Sequence, residues 1–325
     1  MKWAEWSERV LHGEPLTREA GLALVSSSDD ELLEVVHAAF LVRRHYFGRS
    51  VNLHILRNAR SGGCSEDCSF CSQSTASSAP VPRYALQSAG EMAQGAVEAE
   101  KQGAVKYCVV TSGRGPTESI LAVLCEAARL IRNSTEIHLC VSPGHLTLEQ
   151  ARQLAEAGVH RVNHNLETSK RYFPSICHTH RWEDRVATVR AVKAVGMEVC
   201  CGGIVGMGET LEDRVDLAFS LRELAVDSIP VNFFNPRPGT TLGHLPPLKA
   251  AEALRGLALF RLANPDRDIR AAGGREVCLG ALQPLALYVA NSIFTNGYLT
   301  TPGQGRAADA ALMEDAGFVP GKIEM

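Results

Sequence analysis

The sequence predicts an α/β fold: a (β/α)8 barrel of the TIM type with an N-terminal helical extension. Two patterns carry that expectation. Short apolar runs of strand length alternate about eight times with longer amphipathic segments of helical period, as in a parallel sheet closed by crossover helices. Several of those helical segments end in glycine just before the next apolar run, where a helix C-cap belongs. A chain of 325 residues, 45% of them apolar, suits one large barrel or two compact domains, and the repeated alternation favours the barrel.

Taken in order, residues 1–50 read as the helical extension. Thr17 is a plausible N-cap for a helix through Ser26, and a second helix runs from Asp29 to Arg44 with Ser28 or Asp29 at its start. The barrel is expected over residues 51–310, with a C-terminal tail at 311–325. Its strands are VNLHIL (51–56), KYCVVTS (106–112), IHLCVS (137–142), RVNHNLE (161–167) and MEVCCGGIVG (197–206). DSIPVNFFN (227–235), RDIRAAG (267–273) and NSIFTNGYL (291–299) complete the set. Between them lie helical patterns such as those at 88–103, 147–158, 181–196 and 211–225. Chemistry in such a barrel sits at the carboxyl ends of the strands.

The formal charge of −3 leaves no basic footprint for nucleic acid and no polybasic membrane anchor. The N-terminus, MKWAEWSERVLHGEPL, is charged and lacks an apolar core, so it is no secretory signal, and a cytoplasmic location is expected. Ten cysteines are many for a reducing compartment. A single cysteine there is as readily a small core hydrophobe, but a close cluster points to metal.

That cluster is SGGCSEDCSFCSQS, in which Cys64, Cys68 and Cys71 are spaced C-x3-C-x2-C directly after the first strand. Three thiolates within eight residues can wrap three corners of one iron–sulfur cluster if the chain curls as a loop, and Gly62 and Gly63 ease the tight turn into it. Three ligands where a cube needs four leave one iron open. Zinc is the rival: it wants four ligands, often as two C-x2-C pairs, and no second pair is present. His178 and His180, beside Cys177, are the other candidates for it, but their distant segment CHTHRW reads more simply as the lead-in to a helix.

The C-x3-C-x2-C motif, with aromatic Phe70 before its last cysteine, resembles that of the radical S-adenosylmethionine superfamily. Further segments narrow the resemblance to the biotin synthases: KYCVVTS, IHLCVSPG, RVNHNLETS, EVCCGGIVGMGET, IPVNFF, DIRAAGGRE and VANSIFTNGYLTT, in order from about residue 50 to 305. The resemblance implies a [4Fe-4S] cluster on Cys64, Cys68 and Cys71 that reductively cleaves S-adenosylmethionine to a deoxyadenosyl radical. It also implies an auxiliary [2Fe-2S] cluster on Cys108, Cys140, Cys200 and Arg270, with a four-iron variant as the alternative. Dethiobiotin is the implied acceptor of a sulfur atom from that inner cluster.

Side-chain parity bears on the same residues. Only one of the adjacent Cys200 and Cys201 can point into the barrel, and the family register selects Cys200. By the same alternation Asn163, Asn165 and Glu167 share one face of their strand and His164 takes the other. The resemblance assigns Asn165 and Glu167 to the ribose hydroxyls, where biotin synthases commonly carry Asp in place of Glu167. It assigns Arg185 to the methionyl carboxylate, Phe70 and Ile204 to adenine, and Asn163, Asn165 and Asn232 to the substrate. Without it, Arg185 reads as a solvated helical charge, Phe70 as loop packing and Ile204 as core. Lys106, where the family often has arginine, and the extra thiols Cys201 and Cys278 depart from the pattern near the inner cluster. The implied partners are an electron donor such as flavodoxin or ferredoxin, iron–sulfur assembly machinery and a second copy of the chain in a homodimer. Another radical enzyme of this barrel type, such as a hydrogenase-maturation or methylornithine-forming relative, and a non-catalytic iron–sulfur or zinc protein are the competing readings.

Overall fold

The computed structural model describes residues 2–323. Three helices precede the first strand: α1 (Lys2–Leu11), α2 (Arg18–Val25) and α3 (Leu32–Phe47). Thr17 caps α2, its hydroxyl accepting from the Ala20 N–H. The helix expected from Asp29 opens instead with a single 3-10 turn over Asp29–Glu31, and the Glu31 carboxylate accepts from the Ser28 N–H at 3.1 Å. Arg43, fully buried on α3, ties this extension to the barrel: it donates to the carbonyls of Ser50 at 2.6 Å and Ala290 at 3.3 Å.

The barrel is built from β1 (Ser50–Arg60), β2 (Lys106–Thr111), β3 (His138–Ser142), β4 (Arg161–Asn163), β5 (Glu198–Cys200), β6 (Gly203–Val205), β7 (Ser228–Phe233), β8 (Asp268–Ala271) and β9 (Ser292–Phe294). All pair in parallel, and β9 closes on β1 with Asn52 opposite Ser292. Counting β5 and β6 as one interrupted strand gives the eight that the sequence predicts. The helices on the outer face are α4 (Ala89–Lys101), α5 (Glu118–Ser134), α6 (Leu148–Glu156), α7 (Trp182–Ala194), α8 (Leu211–Glu223) and α9 (Ala250–Ala263), followed by the short α10 (Arg275–Leu279) and α11 (Gln283–Leu287). Among the described residues no helix is long and apolar enough to cross a membrane.

Two departures from the expected elements shape the site. Residues 197–206 do not form one strand: β5 ends at Cys200 and β6 restarts at Gly203. A Cβ on Gly202 would lie 2.0 Å from the Pro230 carbonyl oxygen, and one on Gly203 would lie 2.4 Å from that of Glu167. The chain passes too close to its neighbours there for any side chain, which is what two glycines permit. Likewise β4 stops at Asn163, where residues 161–167 were expected to continue. Leu166 and Glu167 both donate their N–H groups to the Gly202 carbonyl, and Glu167 adopts a φ of 69°. The turn that carries Glu167 thus follows the glycine break.

At the other end, α12 (Arg306–Asp315) spans the expected boundary at residue 310. It is followed by β10 (Val319–Pro320), which adds to the start of β1 with Val319 opposite Ser50. The segment written as a tail is therefore docked on the barrel.

Candidate active site

One cavity of about 320 Å³ runs down the barrel interior. Its lining begins at the strand starts with His54, Lys106 and Arg161 and ends in the loop beyond β1 with Cys64, Cys68 and Cys71. The loop carrying the three cysteines is fixed by its own backbone. Cys64 N–H donates to the Gln73 carbonyl at 3.1 Å, Thr75 N–H to the Cys64 carbonyl at 2.8 Å, and Cys71 N–H to the Cys68 carbonyl at 3.0 Å. Gly62 and Gly63 enter it at φ of 74° and 63°. All three thiols are free, and burial pushes that of Cys71 up to about 11. Phe70 and Ile204 pack beside this loop against a small apolar cluster of Phe173, Ile176, Met207 and Phe234.

The segment CHTHR, read more simply as a helix lead-in than as a source of zinc ligands, docks onto the cysteine loop. Ser69 donates from both its N–H and its hydroxyl to the Ile176 carbonyl, at 2.9 and 3.0 Å. The Asp67 carboxylate accepts from the N–H groups of His178 and Thr179. Against the cost of its burial, these donors hold Asp67 well below the usual carboxylate range. His180 is buried, with Nδ1 2.5 Å from Glu66 Oε2, whereas the His178 ring is exposed.

Beyond β4 the polar side chains form a line. Asn163 Nδ2 lies 3.3 Å from Asn165 Oδ1, and Asn165 Nδ2 lies 3.5 Å from Glu167 Oε2, so the three share one side although the strand ends at Asn163 and its alternation does not reach Glu167. Arg185 is buried, not solvated. Its guanidinium donates to the Asn165 carbonyl at 2.9 Å and to His180 Nε2 at 3.0 Å, and it reaches Glu167 Oε1 at 3.4 Å. Burial raises the Glu167 carboxyl, with Arg185 opposing it. His164 is buried too, its Nε2 unpartnered, in edge contact with His145.

Deeper in the barrel, Cys108 and Cys140 stand opposite each other on β2 and β3, and Cys200 stands opposite Asn163 on β5 and β4. Arg270, on β8, donates from Nη1 to Cys200 Sγ at 3.5 Å and from Nη2 to Ser228 Oγ at 2.9 Å. Asp268, two residues earlier on the same face, takes Arg270 at 3.2 Å and Arg161 at 3.5 Å. Against burial, the charges of Arg270 and Arg161 hold its carboxyl well below the ordinary range. Arg270 Nε and His54 Nε2 are buried without a hydrogen-bond partner. A buried donor left unmade is costly, and a group bound between these side chains would satisfy it.

Cys201 lies in the apolar core with the helices, and Cys278 donates to the Leu248 carbonyl at 3.3 Å, outside the cavity lining. Lys106 does line it and lies 3.9 Å from Glu198. Asn232 spends its amide on backbone: Nδ2 donates to the Gly203 carbonyl at 3.1 Å and Oδ1 accepts from Gly273 N–H at 2.9 Å. One N–H and one lone pair remain for anything in the cavity. His54 and Asp268 were not singled out from the sequence, although Asp268 was within reach: it shares a strand face with Arg270.

The donor set fits iron–sulfur groups at both levels. Three free thiols converge on one loop at the mouth, and three more with a guanidinium surround the interior beside orphaned nitrogens.

Residues 59–221 match the radical SAM superfamily, and residues 230–319 match the biotin and thiamin synthesis associated domain. The chain is 50% identical to the biotin synthase of Salinibacter ruber, over 99% of its own length and 90% of that protein's. It is 46% identical to the biotin synthase of Rhodopirellula baltica, over 98% and 89%. Among solved structures, methylornithine synthase superposes with a TM-score of 0.85 over 98% of both chains at 20% identity. A maturase of the [FeFe]-hydrogenase superposes at 0.83 over 100% of this chain and 76% of its own at 15% identity. These two share the fold. With half its residues in common with one of them across almost the entire length, the chain belongs to the biotin synthase family of radical S-adenosylmethionine enzymes.

Proposed function

We propose that the chain inserts sulfur into dethiobiotin to give biotin, using S-adenosylmethionine at the mouth of the barrel and a second iron–sulfur cluster in its interior. The observation that carries this reading is the single cavity, of about 320 Å³, lined by both cysteine sets. Cys64, Cys68 and Cys71 would hold the [4Fe-4S] cluster. Cys108, Cys140, Cys200 and Arg270 would hold the inner one, read as [2Fe-2S] on the family resemblance; Cys201 and Cys278 offer no further thiol to the cavity. When bound, the outer cluster supplies the electron that cleaves S-adenosylmethionine and the inner one supplies the sulfur.

The protein's own work is placement and exclusion of water. Arg185 meets the methionyl carboxylate; its contacts to Asn165 and Glu167 aim it from a buried position. Asn165 and Glu167 take the ribose hydroxyls, and Phe70 with Ile204 supplies the apolar surface for adenine. Asn163, Asn165 and Asn232 contact dethiobiotin through the polar capacity their neighbours leave free. A low-potential donor such as flavodoxin or ferredoxin supplies electrons, and iron–sulfur assembly proteins load the thiols. Ten free cysteines accord with work in the reducing cytoplasm. On family resemblance the chain acts as a homodimer, which sedimentation checks. The domain division is read as helical extension 1–50, barrel 51–310 and a docked C-terminal segment.

Iron and sulfide analysis after anaerobic reconstitution tests the two-cluster reading. Two spectroscopically distinct clusters are expected; a single cluster, or zinc in place of iron, contradicts it.

A further inference from the structure

The buried imidazole of His180 stands between Glu66 on the cysteine loop and Arg185 on α7. Its Nε2 is 3.0 Å from Arg185 Nε. A guanidinium N–H can only donate, so Nε2 accepts and the ring proton is on Nδ1. That proton is met by Glu66 Oε2 at 2.5 Å, and the Thr179 hydroxyl donates to the same oxygen at 2.8 Å. Cys177 Sγ also stands nearer Nδ1, at 3.3 Å, than Nε2, at 3.8 Å. The ring has little room to turn. His145 meets it edge-on at 4.8 Å between centroids, and Phe173 does so at 5.5 Å.

Arg185 has five N–H groups to place. Nε–H goes to His180, and Nη1 gives its pair to the Asn165 carbonyl at 2.9 Å and Glu167 Oε1 at 3.4 Å. Nη2 keeps the other two, and it lies 3.9 Å from Cys68 Sγ in the cavity lining. Phe173 packs against the guanidinium at 5.5 Å. Bonds at Nε and Nη1 together pin the guanidinium plane, and loss of either frees it to turn about its last side-chain torsion.

We infer that His180, backed by Glu66, is the positioning residue that holds Arg185 with its Nη2 N–H pair turned to the methionyl carboxylate of S-adenosylmethionine. This role rests on the reading that Arg185 meets that carboxylate. A simpler role for His180, tying the cysteine loop to α7, would need only its bond to Glu66. Two substitutions separate these roles. Glutamine places its amide oxygen where Nε2 stands and so keeps an acceptor for Arg185. Asparagine reaches only the place of Nδ1 and keeps the bond to Glu66.

Equilibrium binding of S-adenosylmethionine and of its decarboxylated analogue to the reconstituted full-length chain tests the role, at matched iron and sulfide content. His180→Leu is expected to weaken S-adenosylmethionine about 10-fold and the analogue less than about 2-fold, because a charge-assisted bond to the carboxylate is misaimed. His180→Gln recovers most of that loss and His180→Asn does not. Asparagine recovering as much as glutamine, equal losses for both ligands, or no loss in His180→Leu overturns the positioning role. So does loss of the outer cluster from His180→Leu and His180→Gln alike. In Arg185→Leu, an unchanged ratio of the two affinities removes Arg185 from the carboxylate, and His180 with it. Nitrogen NMR of His180 in the full-length chain gives a readout that needs no ligand. A proton on Nδ1 is expected; one on Nε2 overturns the contact to Arg185 and leaves the carboxylate reading standing.

Discussion

Arg270 is held in place by charge as much as by packing. It is buried between Cys200 and Asp268, and despite desolvation those two groups keep its guanidinium protonated. Arg270→Ala is expected to cost the cluster-free chain about 3 kcal/mol in urea unfolding, the low end for breaking a buried pair, because Arg161 still faces Asp268. In the loaded protein the same variant is expected to change the Mössbauer signal of the inner cluster, and an unchanged signal removes Arg270 from the proposed ligands. The histidines make a second prediction. Burial holds His54 and His164 neutral, well below their ordinary 6.5. Below that value the unfolded chain takes up protons that the folded one refuses, so stability falls as pH falls. Each contributes about 1.4 kcal/mol per pH unit across the window. Glu167, raised by burial, acts in the opposite sense just above its ordinary 4.5. Urea midpoints from about pH 7 down to about pH 5.5 should therefore decline, and a flat profile contradicts the burial argument. His164→Asn should make the decline shallower.

The interrupted strand β5–β6 decides where Glu167 sits. With a Pro230 carbonyl oxygen 2.0 Å from any Cβ at residue 202, Gly202→Ala has no flexible neighbour to push aside. A loss of about 1–3 kcal/mol is expected, the range for overpacking, together with weaker S-adenosylmethionine binding. Gly256→Ala is the control: on α9 with open space around it, it should stabilise by about 0.5–1 kcal/mol. Thermal melts that rank the two alike contradict the steric reading. The interruption also marks where sequence ceases to inform. The eight strand positions were legible because each is a short apolar run after a helix, and alternation puts Cys200 and Cys201 on opposite faces, with the family register selecting Cys200 as the inward one. The close approach of β7 to Gly202 depends on a neighbour 28 residues away and leaves no local periodicity. Neither does the two-residue β10, nor the docking of residues 176–180 on a loop more than a hundred positions earlier. A polar lead-in to a helix looks the same whether it meets solvent or a cysteine loop.

At the scale of the whole molecule, the barrel brings two thiol sets on separate parts of the chain to the lining of one cavity. Cys64, Cys68 and Cys71 come from a single loop and were legible as a motif. Cys108, Cys140 and Cys200 come from three strands, and only closure of the sheet makes them neighbours. The family relationship gives the class of chemistry, and the shared cavity gives a radical formed at the mouth a nearby destination. Anaerobic turnover of the reconstituted chain with dethiobiotin, S-adenosylmethionine and a low-potential reductant tests this most directly. Biotin formed together with 5′-deoxyadenosine is the predicted result; 5′-deoxyadenosine without biotin, from protein carrying both clusters, would contradict it.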